Sequence, residues 1–166
     1  MATVKLLFCV FCVAFIGRGG VSDRDLLVSI ALREVGVREL TGRNDGVRVG
    51  EYQKAGGCGK GDPWCAGFVS FVFKQAGYAG PRTCWSPDLF PARRLVKEPE
   101  PGDVLGIYME SMGRVGHCGV VQRMRGDWCT SIEGNTNVAG SREGDGVYVR
   151  TRHRRSIRRF SNWIDK

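Results

Sequence analysis

Cys65 and His117 are the residues of this chain whose types and settings can carry covalent chemistry. Cys65 stands in Pro63-Trp64-Cys65-Ala66-Gly67-Phe68-Val69-Ser70-Phe71-Val72-Phe73-Lys74-Gln75-Ala76-Gly77. This stretch reads as a helix that starts just after a proline and stops at Gly77. The first turn of a helix presents unpaired backbone N–H groups and the positive end of the helix dipole, and both favour a thiolate. The same N–H groups can receive the oxyanion that forms when a carbonyl is attacked.

A thiol so placed still benefits from a base, and the chain has two histidines, His117 and His153. His117 is the better choice. Gly116 and Gly119 leave space around its ring, and Val120 and Val121 commit the segment to a core strand. His153 sits among arginines, which disfavour its protonated form and point to a surface position. A third group must hold the imidazole in one tautomer by accepting its other N–H. Glu133 follows in Ile132-Glu133-Gly134-Asn135-Thr136-Asn137. If the chain turns near Arg125-Gly126, Glu133 and Gly134 come back beside His117 and Cys118. Glu133 or Asn135 can then orient the ring, although taken alone these residues also suit a turn with an exposed glutamate.

The elements that must position these groups follow from hydrophobic spacing. Leu26, Leu27, Ile30, Ala31 and Val35 recur at three- and four-residue steps and predict an amphipathic helix, capped by Ser22 or Asp23 and ended by Gly36. A turn-rich loop at 41–46 precedes a short helix over 49–55, and a glycine-rich loop leads to Pro63. The helix opened by Cys65 carries Phe68, Val69, Phe71, Val72 and Phe73 on nearly every side, so it belongs in the core. Residues 78–103 form a proline-punctuated connection with a short helix near 88–96. Beyond the Pro101-Gly102-Asp103 turn, short strands are expected at 104–109, 116–124, 128–132 and 147–151, with Arg125-Gly126-Asp127 as a hairpin tip. Helices first and an antiparallel sheet second is an α+β arrangement.

Composition, at 42% hydrophobic and 25% charged, suits one globular domain with a sound core. Residues 1–20 carry Lys5, an apolar run from Leu6 to Ile16, and then small residues. The run is too short for the roughly 20 residues that span a bilayer, so it reads as a secretory signal, and the protein as secreted or periplasmic. Taking Lys5 and Arg18 from the net +8 leaves the remainder at +6. Much of that charge lies in Arg150, Arg152, Arg154, Arg155, Arg158 and Arg159, a cluster that suits an anionic wall polymer or a solvated face. With a secretion signal present, nucleic acid is the least suitable partner. Seven cysteines less Cys9 and Cys12 leave Cys58, Cys65, Cys84, Cys118 and Cys129. Four of these can pair in three ways, which leaves one free thiol to be explained. Two histidines are too few for ordinary zinc patterns.

Taken in order, Trp64-Cys65-Ala66 with Phe68-Val69, then Pro101-Gly102-Asp103, then Gly116-His117 followed by Gly119-Val120-Val121, then Glu133-Gly134-Asn135-Thr136-Asn137, resemble the CHAP family of cysteine, histidine-dependent amidohydrolases/peptidases, within the NlpC-type papain-like group. The resemblance runs from about Leu26 to the last strand, so residues 21–166 are expected to form one CHAP-like catalytic domain with a basic C-terminal segment. It implies a papain-like α+β fold with the Cys65 helix packed on a small antiparallel sheet that bears His117. It also implies Cys65 as nucleophile, His117 as base, Glu133 as orienting acid and Asn135 as a supporting polar group. Two departures stand out. Many relatives have Gln before the cysteine as an oxyanion partner, where this chain has Trp64. Some bind calcium through aspartates ahead of the cysteine, where residues 58–62 offer only Asp62, with Asn44 and Asp45 a weaker alternative. No metal or cofactor is expected.

The resulting expectation is a secreted, monomeric hydrolase that cleaves amide bonds of bacterial peptidoglycan through a thioacyl intermediate, as an amidase or an endopeptidase. Trp64 and Trp85 are the candidate substrate-binding residues, as exposed rings able to hold glycan or peptide. The competing readings are a phage lysin or toxin with the same chemistry, and a wall-binding module without turnover. Cys118 has no assigned function, and alternation along a strand puts its side chain on the sheet face opposite His117.

Overall fold

A computed structural model describes residues 22–141 and 143–165. The expected leader, residues 1–20, lies outside the described residues. Helix α1 (Asp23–Arg33) begins at Ser22, whose hydroxyl accepts from the Asp25 N–H at 3.1 Å. Helix α2 (Val47–Gly56) ends on Gly57, which takes the left-handed conformation at φ 76°. Helix α3 (Cys65–Gln75) starts two residues after Pro63 and stops before Gly77, and every residue from Cys65 to Phe73 is buried.

Six strands follow: β1 (Leu95–Val96), β2 (Val104–Met109), β3 (Arg114–Arg125), β4 (Trp128–Thr136), β5 (Gly146–His153) and β6 (Arg159–Ser161). They form one antiparallel sheet in the order β1-β6-β2-β3-β4-β5. The hairpin between β3 and β4 closes at Gly126-Asp127, with Arg125 opposite Trp128 and Gly126 at φ 57°. The papain-like α+β layout expected from the sequence, with the Cys65 helix on the sheet that bears His117, is the one observed.

α3 packs on α2 at one side and on β3 and β4 at the other. Two glycines set how closely it does so. A Cβ on Gly67 would lie 2.8 Å from the Tyr52 carbonyl oxygen of α2, and one on Gly134 would lie 2.6 Å from the Trp64 ring. The main core is formed by Leu27, Ile30, Tyr52, Trp64, Phe68, Val72, Val120 and Ile132 among others. A second cluster, Leu105, Ile107, Val121, Cys129, Ile157 and Phe160, gathers separately.

One expectation is corrected and two are narrowed. Residues 88–96 are not a helix but 3-10 turns at Ser86–Leu89 and Ala92–Arg94, leading into β1. Pro87 and Pro91 supply no N–H, and Pro91 is extended at ψ 145°, so no helical ladder can run through them. The basic tail is partly structured, because its sequence supplies the last residues of β5 and all of β6. One disulfide is present, Cys58–Cys84, while Cys65, Cys118 and Cys129 are free and buried. The four cysteines available for pairing therefore make one bridge.

Candidate active site

Cys65 opens α3 with no side-chain cap at Trp64, so the first N–H groups of the helix keep no side-chain partner there. Its sulfur is 4% exposed at the residue level and borders a cleft of about 500 Å³ lined by Asp62, Pro63, Thr83, Trp85, Ser86 and Arg114, among others. The Cys65 thiol is held well below the ordinary thiol range. The Cys118 thiol is the largest influence; the nearby His117 ring and the Ser86 hydroxyl add to it against the opposing cost of burial.

His117 lies on β3 where the pairing with β2 is irregular: Ile107 pairs with His117, but the next residue, Tyr108, pairs with Val115. Gly116 is the extra residue of this bulge, a device that re-aims neighbouring side chains. His117 is fully buried. Its Nε2 meets Glu133 Oε2 at 2.8 Å, and its Nδ1 is buried with no hydrogen-bond partner among the described residues. That leaves Nδ1 as the nitrogen for Cys65. Burial opposes the imidazolium, but the nearby Cys65 sulfur and the Glu133 carboxylate outweigh it and raise the His117 pKa to about 9. Both shifts favour the thiol's proton on the ring.

Glu133 is wholly buried and fully bonded. Arg152 grips it with Nε at 2.6 Å from Oε1 and Nη2 at 2.5 Å from Oε2, and Ser131 Oγ donates to Oε1 at 2.6 Å. Burial pushes its pKa up, yet Arg152 and His117 bring it down to about 2. The reach from β4 to His117 passes over Gly119, where a Cβ would lie 2.5 Å from Glu133 Cγ. Of the free space that the sequence showed beside the imidazole, Glu133 fills that over Gly119 and Met109 and Met112 fill that over Gly116.

Asn135 has a different place from the one expected. It takes φ 55°, at a shift in the β4–β5 register, and its Oδ1 accepts from the Trp64 N–H at 3.1 Å. Its Nδ2 donates to Asn44 Oδ1 at 3.0 Å and to the Gly144 carbonyl at 3.2 Å. It makes no hydrogen bond to His117 among the described residues; it fixes the backbone immediately ahead of Cys65. Trp64 is also corrected. It is not exposed but fully buried, stacked on Tyr52 at 5.3 Å, with its Nε1 donating to Glu39 Oε1 at 2.9 Å. Trp85 is half exposed at the cleft, and the Arg114 guanidinium lies 3.8 Å from its ring centre. Asn44 and Asp45 are engaged within their own loop: Asp45 accepts from the Thr41 N–H and hydroxyl, and Asn44 donates to the Gly61 carbonyl. No group of three or more His, Cys, Asp or Glu side chains able to hold a metal occurs among the described residues.

Cys118 belongs to the main core beside Cys65 and Trp64. Strict alternation would have turned it away from its neighbour's site, but both His117 and Cys118 act on the Cys65 sulfur. The sequence reading missed Ser86, Ser131 and Arg152. Ser131 and Arg152 had a signal. Both point to the same sheet face as Glu133, Ser131 by its two-residue spacing and Arg152 by pairing opposite Cys129. Ser86 had none, since its contact with Cys65 spans a proline-rich connection of no regular period.

No protein-family model and no curated protein matches the chain. Among solved structures it is similar to the crystal structure of Ly7917, at 14% identity and TM-score 0.49, over 84% of this chain and 61% of that one. It is also similar to the crystal structure of Ly7917 with the hydrolyzing product of MDP, at 14% identity and TM-score 0.45, over 82% and 61%. The chain spans about three fifths of the length of these proteins.

Proposed function

We propose that this protein is a CHAP-type cysteine hydrolase that cleaves amide bonds of peptidoglycan, secreted after loss of residues 1–20 and acting as a monomer. The observation that carries the reading is one line of groups: Cys65 at a helix start, a buried His117 with one free ring nitrogen, and Glu133 on the other nitrogen at 2.8 Å. In this mechanism the Cys65 thiolate attacks the carbonyl carbon, and the imidazolium of His117 gives its proton to the departing amine. The neutral ring then takes a proton from water, which hydrolyses the thioacyl enzyme. Glu133 stays ionised throughout and holds the ring in register. Peptidoglycan as substrate rests on the CHAP resemblance, with Trp85 and Arg114 at the mouth of the cleft as a ring-and-cation surface for it. The basic residues of the C-terminal segment supply attraction to an anionic wall.

The test is digestion of purified peptidoglycan by the wild type, Cys65→Ala and His117→Ala, with mass spectrometry of the products. New amino termini from the wild type alone support hydrolysis and identify the bond. Equal digestion by Cys65→Ala would overturn the cysteine mechanism, and binding without new termini would favour a wall-binding module.

A further inference from the structure

The oxyanion hole is incomplete in the site as described. Trp64 occupies the position ahead of the nucleophile, its ring N–H is committed to Glu39, and its backbone N–H is committed to Asn135. The start of α3 supplies backbone N–H groups, but no side chain from residue 64 can face the cleft.

A hydroxyl fills that direction from another part of the chain. Ser86 Oγ lies 3.4 Å from Cys65 Sγ, at 4% exposure, and both residues line the cleft. The Ser86 hydroxyl also reaches the neighbouring Cys118 thiol, so it sits among the sulfurs of the site. Its position is built. Ser86 begins the 3-10 turn Ser86–Leu89, two residues beyond the Cys58–Cys84 disulfide. Thr83 braces the same turn, accepting from the Trp85 N–H at 2.9 Å and donating to Asp88 Oδ2 at 2.9 Å. The far end is tied to β6 by the Ser161 hydroxyl, which donates to the Leu89 carbonyl at 2.7 Å. A donor fixed before the reaction costs little reorganisation when charge develops.

We propose that the Ser86 hydroxyl is the side-chain donor of the oxyanion hole, taking the place that residue 64 leaves empty. This rests on the cysteine-hydrolase reading above. In the resting enzyme the hydroxyl donates to the Cys65 sulfur. On attack, a sulfur electron pair forms the S–C bond and the carbonyl π pair moves to oxygen. The sulfur loses its charge and becomes a weak acceptor, while the adjacent oxygen gains it. The Ser86 hydrogen bond turns from one atom to the other. On collapse the oxygen pair re-forms the C=O bond, the C–N bond breaks, and the amine leaves with the proton from His117. Cys118 cannot take this part, because a thiol is a weak donor and Cys118 is fully buried and does not line the cleft.

Ser86 also touches the thiol, so the experiment separates the two effects. Iodoacetamide alkylation against pH fixes, without substrate, a pH at which Cys65 is fully ionised in the wild type, Ser86→Ala and Ser86→Thr. At that pH, Ser86→Ala is expected to digest purified peptidoglycan roughly 10²-fold more slowly, with KM little changed, and Ser86→Thr, which keeps the hydroxyl, to recover most of the rate. Ser86→Ala turning over like the wild type would overturn the proposal. So would Ser86→Ala and Ser86→Thr being equally slow, since the hydroxyl would then not be what matters. Failure of the underlying reading shows separately, as Cys65→Ala retaining full activity.

Discussion

Two of the buried carboxylates are held in nearly the same way, and only one of them meets a histidine. Glu34, at the end of α1, is gripped by Arg48 through Nε at 2.8 Å and Nη2 at 2.5 Å, and accepts from the Tyr52 hydroxyl at 2.6 Å. Glu133 is gripped by Arg152 in the same two-pronged way and accepts from Ser131 and His117. Both are lowered in pKa: burial opposes this in each, and the arginine leads the groups that outweigh it. The difference is the last donor. Tyr52 holds its proton more tightly beside Glu34, because burial and the carboxylate both raise its pKa, and its ring ends in the aromatic core. His117 has a second nitrogen, and that nitrogen is left for Cys65. A perturbed buried carboxylate marks an arginine clamp; it marks a catalytic site only when the clamp passes its orientation on to a group that reacts.

Replacing each carboxylate by its amide separates these roles and gives the largest expected effect. Glu133→Gln should lower peptidoglycan hydrolysis on the order of 10³–10⁴-fold, because the ring loses its anionic partner and its tautomer is no longer fixed. It should also destabilise the fold by about 3 kcal/mol by leaving Arg152 without its counter-charge. Glu34→Gln should cost less stability, since Arg48 is 42% exposed and also pairs with Glu51, and the folded variant should keep its rate within a few-fold. Urea unfolding and initial rates on the same samples check both. Equal loss of activity in the two variants would remove the distinction.

A smaller lesion tests the path between Glu133 and His117. Gly119→Ala adds a Cβ 2.5 Å from Glu133 Cγ and 2.9 Å from the Ile132 carbonyl, on strand backbone that cannot easily move. The carboxylate must shift away from the ring. A displacement of this size should slow turnover by roughly 10²-fold. A crystal structure of the variant would show the His117–Glu133 distance lengthened beyond 2.8 Å. A wild-type rate would mean that the contact does not position the ring.

The two clamps were unequally legible in the sequence. Cys65, His117 and Glu133 could be found because each stands beside a local signal: a proline before a helix, glycines around a ring, and a hairpin turn that brings Glu133 back. The bounds of α3 and β2 were readable for the same reason. Arg152 was read only as part of a run of positive charge, although its pairing opposite Cys129 turns it inward. Asn135 was read as a supporting polar group, but that it supports the backbone ahead of Cys65 was not legible, because a left-handed residue at a register shift does not follow strand alternation. Trp64 was taken as exposed because the sequence does not show that Tyr52 and Glu39 cover its two ends.

The smallest effect expected is in the pH response, and it separates the clamp from the reacting pair. In the proposed mechanism the active form is thiolate with imidazolium. The rate should therefore fall to half near pH 9, where His117 loses its proton, and should fall on the acid side well below the ordinary thiol value of 9.0 as Cys65 regains its own. For stability the signs differ. The pKa of Glu133 is lowered from 4.5 to about 2, so its contribution is present above 4.5 and is lost as pH falls through about 2. His117, raised from 6.5 to about 9, binds more proton when folded over that interval, which favours unfolding as pH rises. Cys65, lowered well below 9.0, binds less when folded and works in the opposite sense. The proton has only moved from sulfur to nitrogen, and stability should be level from 6.5 to 9 as far as this pair is concerned. In Cys65→Ala the thiolate that helps to hold the proton on His117 is gone as well, so the His117 pKa drops and thermal melts should show no decline that reaches pH 9. A decline in Cys65→Ala that runs on to pH 9 would mean that Glu133 alone raises His117, and that the thiolate is not its partner.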